Sequence, residues 1–149
     1  MELAKIAVAC KKSRKQLFIS NDIKLTLKYR AHGIYIPSFN KTKSYANLEK
    51  KNIKIIGSAH NQKEIQKKIA QKCSVIFLSP IFFIKKSKHY LGLHKFNFLS
   101  QRNNTNIYAL GGISEDNIRK LNMLNINGFG GIRLFKKKPA YKRPVFLKN

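Results

Sequence analysis

No run of about 18 or more apolar residues occurs anywhere in this 149-residue chain, so no membrane-spanning helix is expected. A secretory leader is not expected either, because the basic residues of MELAKIAVACKKSRK follow its apolar part. Cysteine is nearly missing. Cys10 and Cys73 stand alone, with no CxxC pair and no His or Cys partner at zinc-like spacing. Cys10 shares a helical stripe with Leu3, Ile6 and Ala7, and Cys73 precedes an apolar burst, so both read as reduced core residues of a cytoplasmic protein. Acid is scarce too: 6 Asp and Glu face 31 Lys and Arg, a net charge of +25. Such a chain favours polyanions and draws anionic small molecules inward. The lysines are spread along the whole sequence, however, and the companion abundance of Asn and Ile suits AT-rich coding. Charge alone therefore leaves nucleic acid and a phosphorylated substrate both open.

What is present is a regular alternation. Short apolar bursts at 17–19, 33–36, 53–56, 75–78, 107–110 and 129–132 are rich in Ile and Val and do not alternate, the pattern of strands buried on both faces. Segments of helix length lie between them. Asn61 and Glu64 have capping-box spacing, with Ile65 and Ile69 as an inner face. Segment 23–29 fits strand or helix equally well. Six strands alternating with helices indicate βαβ units and a parallel sheet in one domain, although the chain opens on a helix. Residues 136–149, with Pro139, Pro144 and six basic residues, read as a solvated basic tail.

Residues 107–132, IYALGGISEDNIRKLNMLNINGFGGI, are the most informative stretch. Glycine pairs Gly111-Gly112 and Gly130-Gly131 close two successive strands, and a helix is expected from Ser114, with Glu115 and Asp116 in its first turn and Ile118, Leu121 and Leu124 inward. Strand ends followed by helix starts suit a phosphate, since unpaired N–H groups and the helix dipole favour an anion. The plainer alternative is that the glycines only ease tight turns.

Four segments taken in order, LFISND (17–22), IIGSAHN (55–61), FLSPIF (77–82) with KKSKHYLGL (85–93), and the glycine stretch, resemble the thiamine phosphate synthase and TenI-like family. The resemblance runs from about residue 2 to residue 135. It implies an α/β fold of the (β/α)8 TIM-barrel type with about six parallel strands present, as a partial barrel domain over 1–135. Two strands that precede Met1 in the family have no counterpart, and a later start site than the true one is the favoured reading. The implied reaction joins hydroxymethylpyrimidine pyrophosphate to thiazole phosphate, with Mg²⁺ around the leaving group.

Carried over residue by residue, the resemblance makes Asn21, Ser58 and Lys88 the expected catalytic residues. Asn21 would hold pyrophosphate or pyrimidine, and Asp22 would bind Mg²⁺; the alternative is that one of this pair caps the next helix. A second metal carboxylate of the family falls on or near Asn40, which is neutral. Ser58 would donate to substrate, and His60 is an orienting or helix-start residue. The family's phosphate loop is replaced by Lys85, Lys86, Ser87 and Lys88, ammonium groups in place of hydroxyls. Gly112 would offer its N–H to the thiazole phosphate, joined by Ile132 and Arg133. His32, His89 and His94 have no matched role and are expected at the surface.

The small-molecule partners implied are the two thiamine precursors. A TenI-like thiazole tautomerase is the near alternative, but those relatives carry a histidine where this chain has Ser79-Pro80. A non-catalytic phosphate binder and a basic nucleic-acid-binding protein are further alternatives. No RRM signature, zinc-finger spacing or clear helix-turn-helix supports the last. Oligomeric state is not legible in the sequence.

Overall fold

The computed structural model describes residues 2–85, 87, 89–132 and 134. The basic tail expected over 136–149 lies outside the described residues. Six parallel strands form one sheet in sequence order: β1 (Phe18–Ser20), β2 (Gly33–Ile36), β3 (Lys54–Ala59), β4 (Val75–Leu78), β5 (Asn106–Leu110) and β6 (Gly128–Gly130). Every apolar burst became a strand, within three residues at either end. Register is continuous, with Ile34 opposite Ile55, Ile56 opposite Val75 and Ile76 opposite Ile107. Both faces are covered in part: Ile34, Ile36, Ile55, Ile76, Leu78 and Ile107 are at most 2% exposed. Each such side chain contributes on the order of 2 kcal/mol relative to full exposure.

Four α-helices are described: α1 (Glu2–Lys12), α2 (Ile23–Lys28), α3 (Gln62–Ala70) and α4 (Gly92–Gln101). Segment 23–29, ambiguous by pattern, is helical because Asp22 caps it. The Asp22 carboxylate accepts from Leu25 N–H at 2.8 Å. α3 starts at Asn61, whose side chain accepts from Glu64 N–H at 3.0 Å. Glu64 reaches back one residue further than a standard capping box, to His60 N–H at 2.8 Å.

Two expectations fail. The helix expected from Ser114 is instead a 3-10 turn at Ile118–Met123. Asn117 decides this: its side chain accepts from Ser114 N–H at 2.9 Å and donates to Gly112 O at 2.8 Å, closing residues 114–117 as a turn. The inward face survives, with Leu121 and Leu124 buried. Cys10 is half-buried, not core. α1 makes no extensive contact with another element and buries no residue, so its stripe has nothing to close over it. Cys73 is buried as expected.

Candidate active site at the carboxyl edge of the sheet

In a parallel sheet the strand ends all point one way, and the expected site residues gather there in two groups. The first sits beyond β1, β2 and β3. Asn21 follows β1 with a φ of 59°, a left-handed conformation that asparagine tolerates. Its N–H donates to Tyr35 O at 2.9 Å, its carbonyl accepts from the Tyr45 hydroxyl at 3.2 Å, and its side-chain oxygen accepts from the Asn40 amide. Asn40 Oδ1 in turn accepts from Thr42 N–H at 2.8 Å. Ser58, buried on β3, accepts from the Tyr35 hydroxyl at 2.8 Å, leaving its own proton to donate elsewhere. The pairing of Asn21 with Asn40 brings together two residues that sequence reasoning named separately.

Beneath this group lies a feature the sequence did not announce. Lys68, on α3, is 0% exposed. Its ammonium donates to Pro37 O at 2.7 Å, Asn40 O at 3.0 Å and Gln71 Oε1 at 2.9 Å. Gln71 donates to Asn40 O at 3.0 Å and Thr42 O at 2.7 Å. Burial lowers the Lys68 pKa from its ordinary value by disfavouring the charged form. Burial likewise pushes the neighbouring Cys73 thiol up to about 11. The available signal was Lys68's position three residues beyond Ile65, on the same inner stripe.

The second group surrounds a cavity of about 810 Å³ beyond β4, β5 and β6. Gly111, Gly112, Ile113 and Ser114 line one side, Lys85, Ser87 and Tyr90 another, and Gly131 and Ile132 a third. Lys95 and His89 also reach it, so His89 is a surface residue with a place in the cavity. Lys86, Lys88 and Arg133 lie outside the described residues. Gly112 has a φ of 75°, and a Cβ built on it would fall 2.5 Å from Phe82 O. The direction a side chain would take is thus filled by the chain's own backbone. Among the described residues, no acceptor meets the Gly112 N–H.

His60 joins the two groups. It follows Ser58 in the strand direction, lines the cavity, and has Nδ1 2.7 Å from Ser79 O. A carbonyl can only accept, so Nδ1 carries a proton and donates it to Ser79 O.

Of the donors expected to hold Mg²⁺, Asp22 keeps one carboxylate oxygen with no protein partner among the described residues and would hold the ion together with substrate oxygens, whereas Asn40 is engaged within its loop. One Asp22 oxygen is used in capping α2, both ends of the Asn40 amide are engaged within the loop, and a lysine ammonium already lies on the Asn40 carbonyl. Mg²⁺ needs near-octahedral hard oxygens. Among the described residues, no group of three or more His, Cys, Asp or Glu side chains could hold a metal. No helix among them is long and apolar enough to cross a membrane.

Comparison with known proteins bears on the family and the fold. The family model described as thiamine monophosphate synthase matches residues 1–135. Thiamine-phosphate synthases of two Prochlorococcus marinus strains are 33% identical over 84% of this chain and 30% identical over 80% of it. The chain spans only 37% and 35% of the length of those relatives. The solved structure of a thiamine phosphate pyrophosphorylase from Pyrococcus furiosus superposes with a TM-score of 0.72 at 16% identity, covering 88% of this chain and 65% of that one. The six-stranded parallel sheet is therefore the fold of these TIM-barrel-like enzymes, and the chain belongs to the thiamine monophosphate synthase family.

Proposed function

We propose that this chain carries the substrate-binding edge of a thiamine phosphate synthase, with the cavity beyond β4–β6 taking thiazole phosphate. The observation that carries this reading is the combination, in one cavity, of the Gly112 N–H, Lys85 and Lys95, and the Ser87 and Ser114 side chains. An amide donor and ammonium groups around a largely apolar space suit a small ring bearing a phosphate. The Asn21–Asn40–Ser58 group, one strand pair away, takes the pyrimidine pyrophosphate. In the coupling, the bond between the pyrimidine methylene carbon and the pyrophosphate oxygen breaks, and the electron pair leaves with pyrophosphate. The thiazole nitrogen then forms the new carbon–nitrogen bond. Ser58 donates a hydrogen bond to the pyrimidine, and the fixed amides of Asn21 and Asn40 orient its pyrophosphate. Asp22, with one carboxylate oxygen outside the cap, would hold Mg²⁺ beside the pyrophosphate, and the ion would offset charge on the leaving group.

Titration of the isotopically labelled chain with thiazole phosphate tests the assignment, alongside a coupled assay with both precursors. Saturable shifts of the Gly112 and Ser114 amides are expected. Shifts confined to surface lysines, with no saturation at the glycine, would refute the placement.

A further inference from the structure

Resting on the two-group reading above, we propose that Lys68 and Gln71 of α3 are positioning residues for the anion-binding end of the site, holding Asn40 and, through it, Asn21. Neither residue reaches the site itself. They act through the backbone carbonyls of the loop that follows β2.

The argument starts from satisfaction of donors. A lysine ammonium has three protons, and all three of Lys68's find acceptors: Pro37 O, Asn40 O and Gln71 Oε1. Burying an ammonium is costly unless it is fully hydrogen-bonded. Among the described residues, no Asp or Glu hydrogen-bonds the ammonium: its direct partners are neutral carbonyls, with Glu64 a favourable charge further off. The sequence accommodates it at a cost elsewhere in the sheet. A Cβ on Gly57 of β3 would lie 2.8 Å from Lys68 Cδ and 3.0 Å from Cys73 Sγ, so the strand leaves out a side chain where the lysine stem passes.

The loop is fixed at three points: residues 37, 40 and 42. Lys68 holds the first two carbonyls, and Gln71 holds the second and third. With the Asn40 backbone pinned, its side chain has one placement in which Oδ1 takes Thr42 N–H and Nδ2 takes Asn21 Oδ1. The chain of contacts thus runs from a buried outer-helix cation to the carboxyl ends of β2 and β1. The ammonium also puts a fixed positive charge under an end of the sheet expected to receive an anion. Its attraction is little screened because it is buried.

The test uses the full chain and two probes, inorganic pyrophosphate and inorganic phosphate, read by NMR on labelled protein. Lys68→Met keeps the stem and removes the donors. Thr42 amide exchange should accelerate about tenfold, and pyrophosphate affinity at the Asn21 and Asn40 side-chain amides should fall about tenfold, the scale of a charge-assisted hydrogen bond. Phosphate affinity at the Gly112 amide should stay within about twofold, a split that a general loss of stability would not produce. Gln71→Met, which leaves the ammonium in place, gives a second route should Lys68→Met fail to fold, and should show the same pattern more weakly. A folded variant with unchanged Thr42 exchange and unchanged pyrophosphate affinity overturns the proposal. If the unaltered chain binds neither probe, the substrate reading fails, while Thr42 exchange still decides whether Lys68 holds the loop.

Discussion

Gly112→Ala separates two reasons for a glycine at the rim of the cavity. The residue has a φ of 75°, and the added Cβ would meet Phe82 O at 2.5 Å, Phe82 C at 2.6 Å and Phe83 O at 2.7 Å. All three are backbone atoms, so relief requires moving the 82–83 segment and not merely turning a side chain. Gly92 is the matched control: its φ is 69°, and a Cβ there would meet nothing within 4 Å. The left-handed conformation alone costs alanine about 1 kcal/mol, the expected loss for Gly92→Ala. Gly112→Ala adds overpacking against backbone, for a total loss of about 2–4 kcal/mol. In urea or thermal unfolding this separates the two variants by several degrees, at roughly 2–4 °C per kcal/mol for a chain of this size. The Phe82 N–H, 3.1 Å from Gly111 O, should exchange faster in the Gly112 variant only. Equal destabilisation by the two substitutions would refute the steric argument and leave backbone conformation as the whole reason for the glycine.

Asp22→Ala should cost about 1 kcal/mol through loss of the α2 cap, whereas Asp22→Asn keeps the acceptor and should be close to neutral; equal losses in urea unfolding would remove the cap from the account. With Asp22 holding Mg²⁺ beside pyrophosphate, the unaltered chain should bind Mg²⁺ pyrophosphate more tightly in calorimetry than Asp22→Asn does, and equal affinity would refute the metal role. Iodoacetamide at pH 8 should label half-buried Cys10 well before Cys73. Because folding raises the Cys73 pKa from 9.0 to about 11, its contribution to stability is whole below pH 9 and is lost as pH rises toward 11. Cys73→Ala should therefore flatten the alkaline decline in melting temperature, and an unchanged slope would show that the thiol stays accessible in the folded chain.

The strands were legible because a strand buried on both faces must be continuously apolar, and Ile34, Ile36, Ile76 and Ile107 announce that without any knowledge of their neighbours. Asn61 and Glu64 were legible for a similar reason, since a cap acts within one turn. Asp22 was legible only as a pair of alternatives, a cap or a metal ligand: the Leu25 amide establishes the cap, which takes one carboxylate oxygen and leaves the other for an ion. Asn117 misled by omission. An asparagine inside an apparent helix is unremarkable in sequence, yet its reach to Gly112 O and Ser114 N–H converts the first turn.

The sequence by itself determined the number, order and burial of the strands, because apolar content and local capping are properties of short segments. It also placed Asn21, Ser58 and Gly112 at strand ends, where a parallel sheet gathers them on one edge. Only the tertiary structure decided which of those residues touch. Asn21 meets Asn40 at a sequence separation of 19, Tyr35 meets Ser58 at 23, and Lys68 meets the Pro37 carbonyl at 31. Such contacts depend on how α3 and the loop after β2 pack against the sheet, and a lysine among lysines carries no mark of being the one that is buried. The physical reason is that burial of a polar group is licensed by its partners, and those partners are brought to it by the fold.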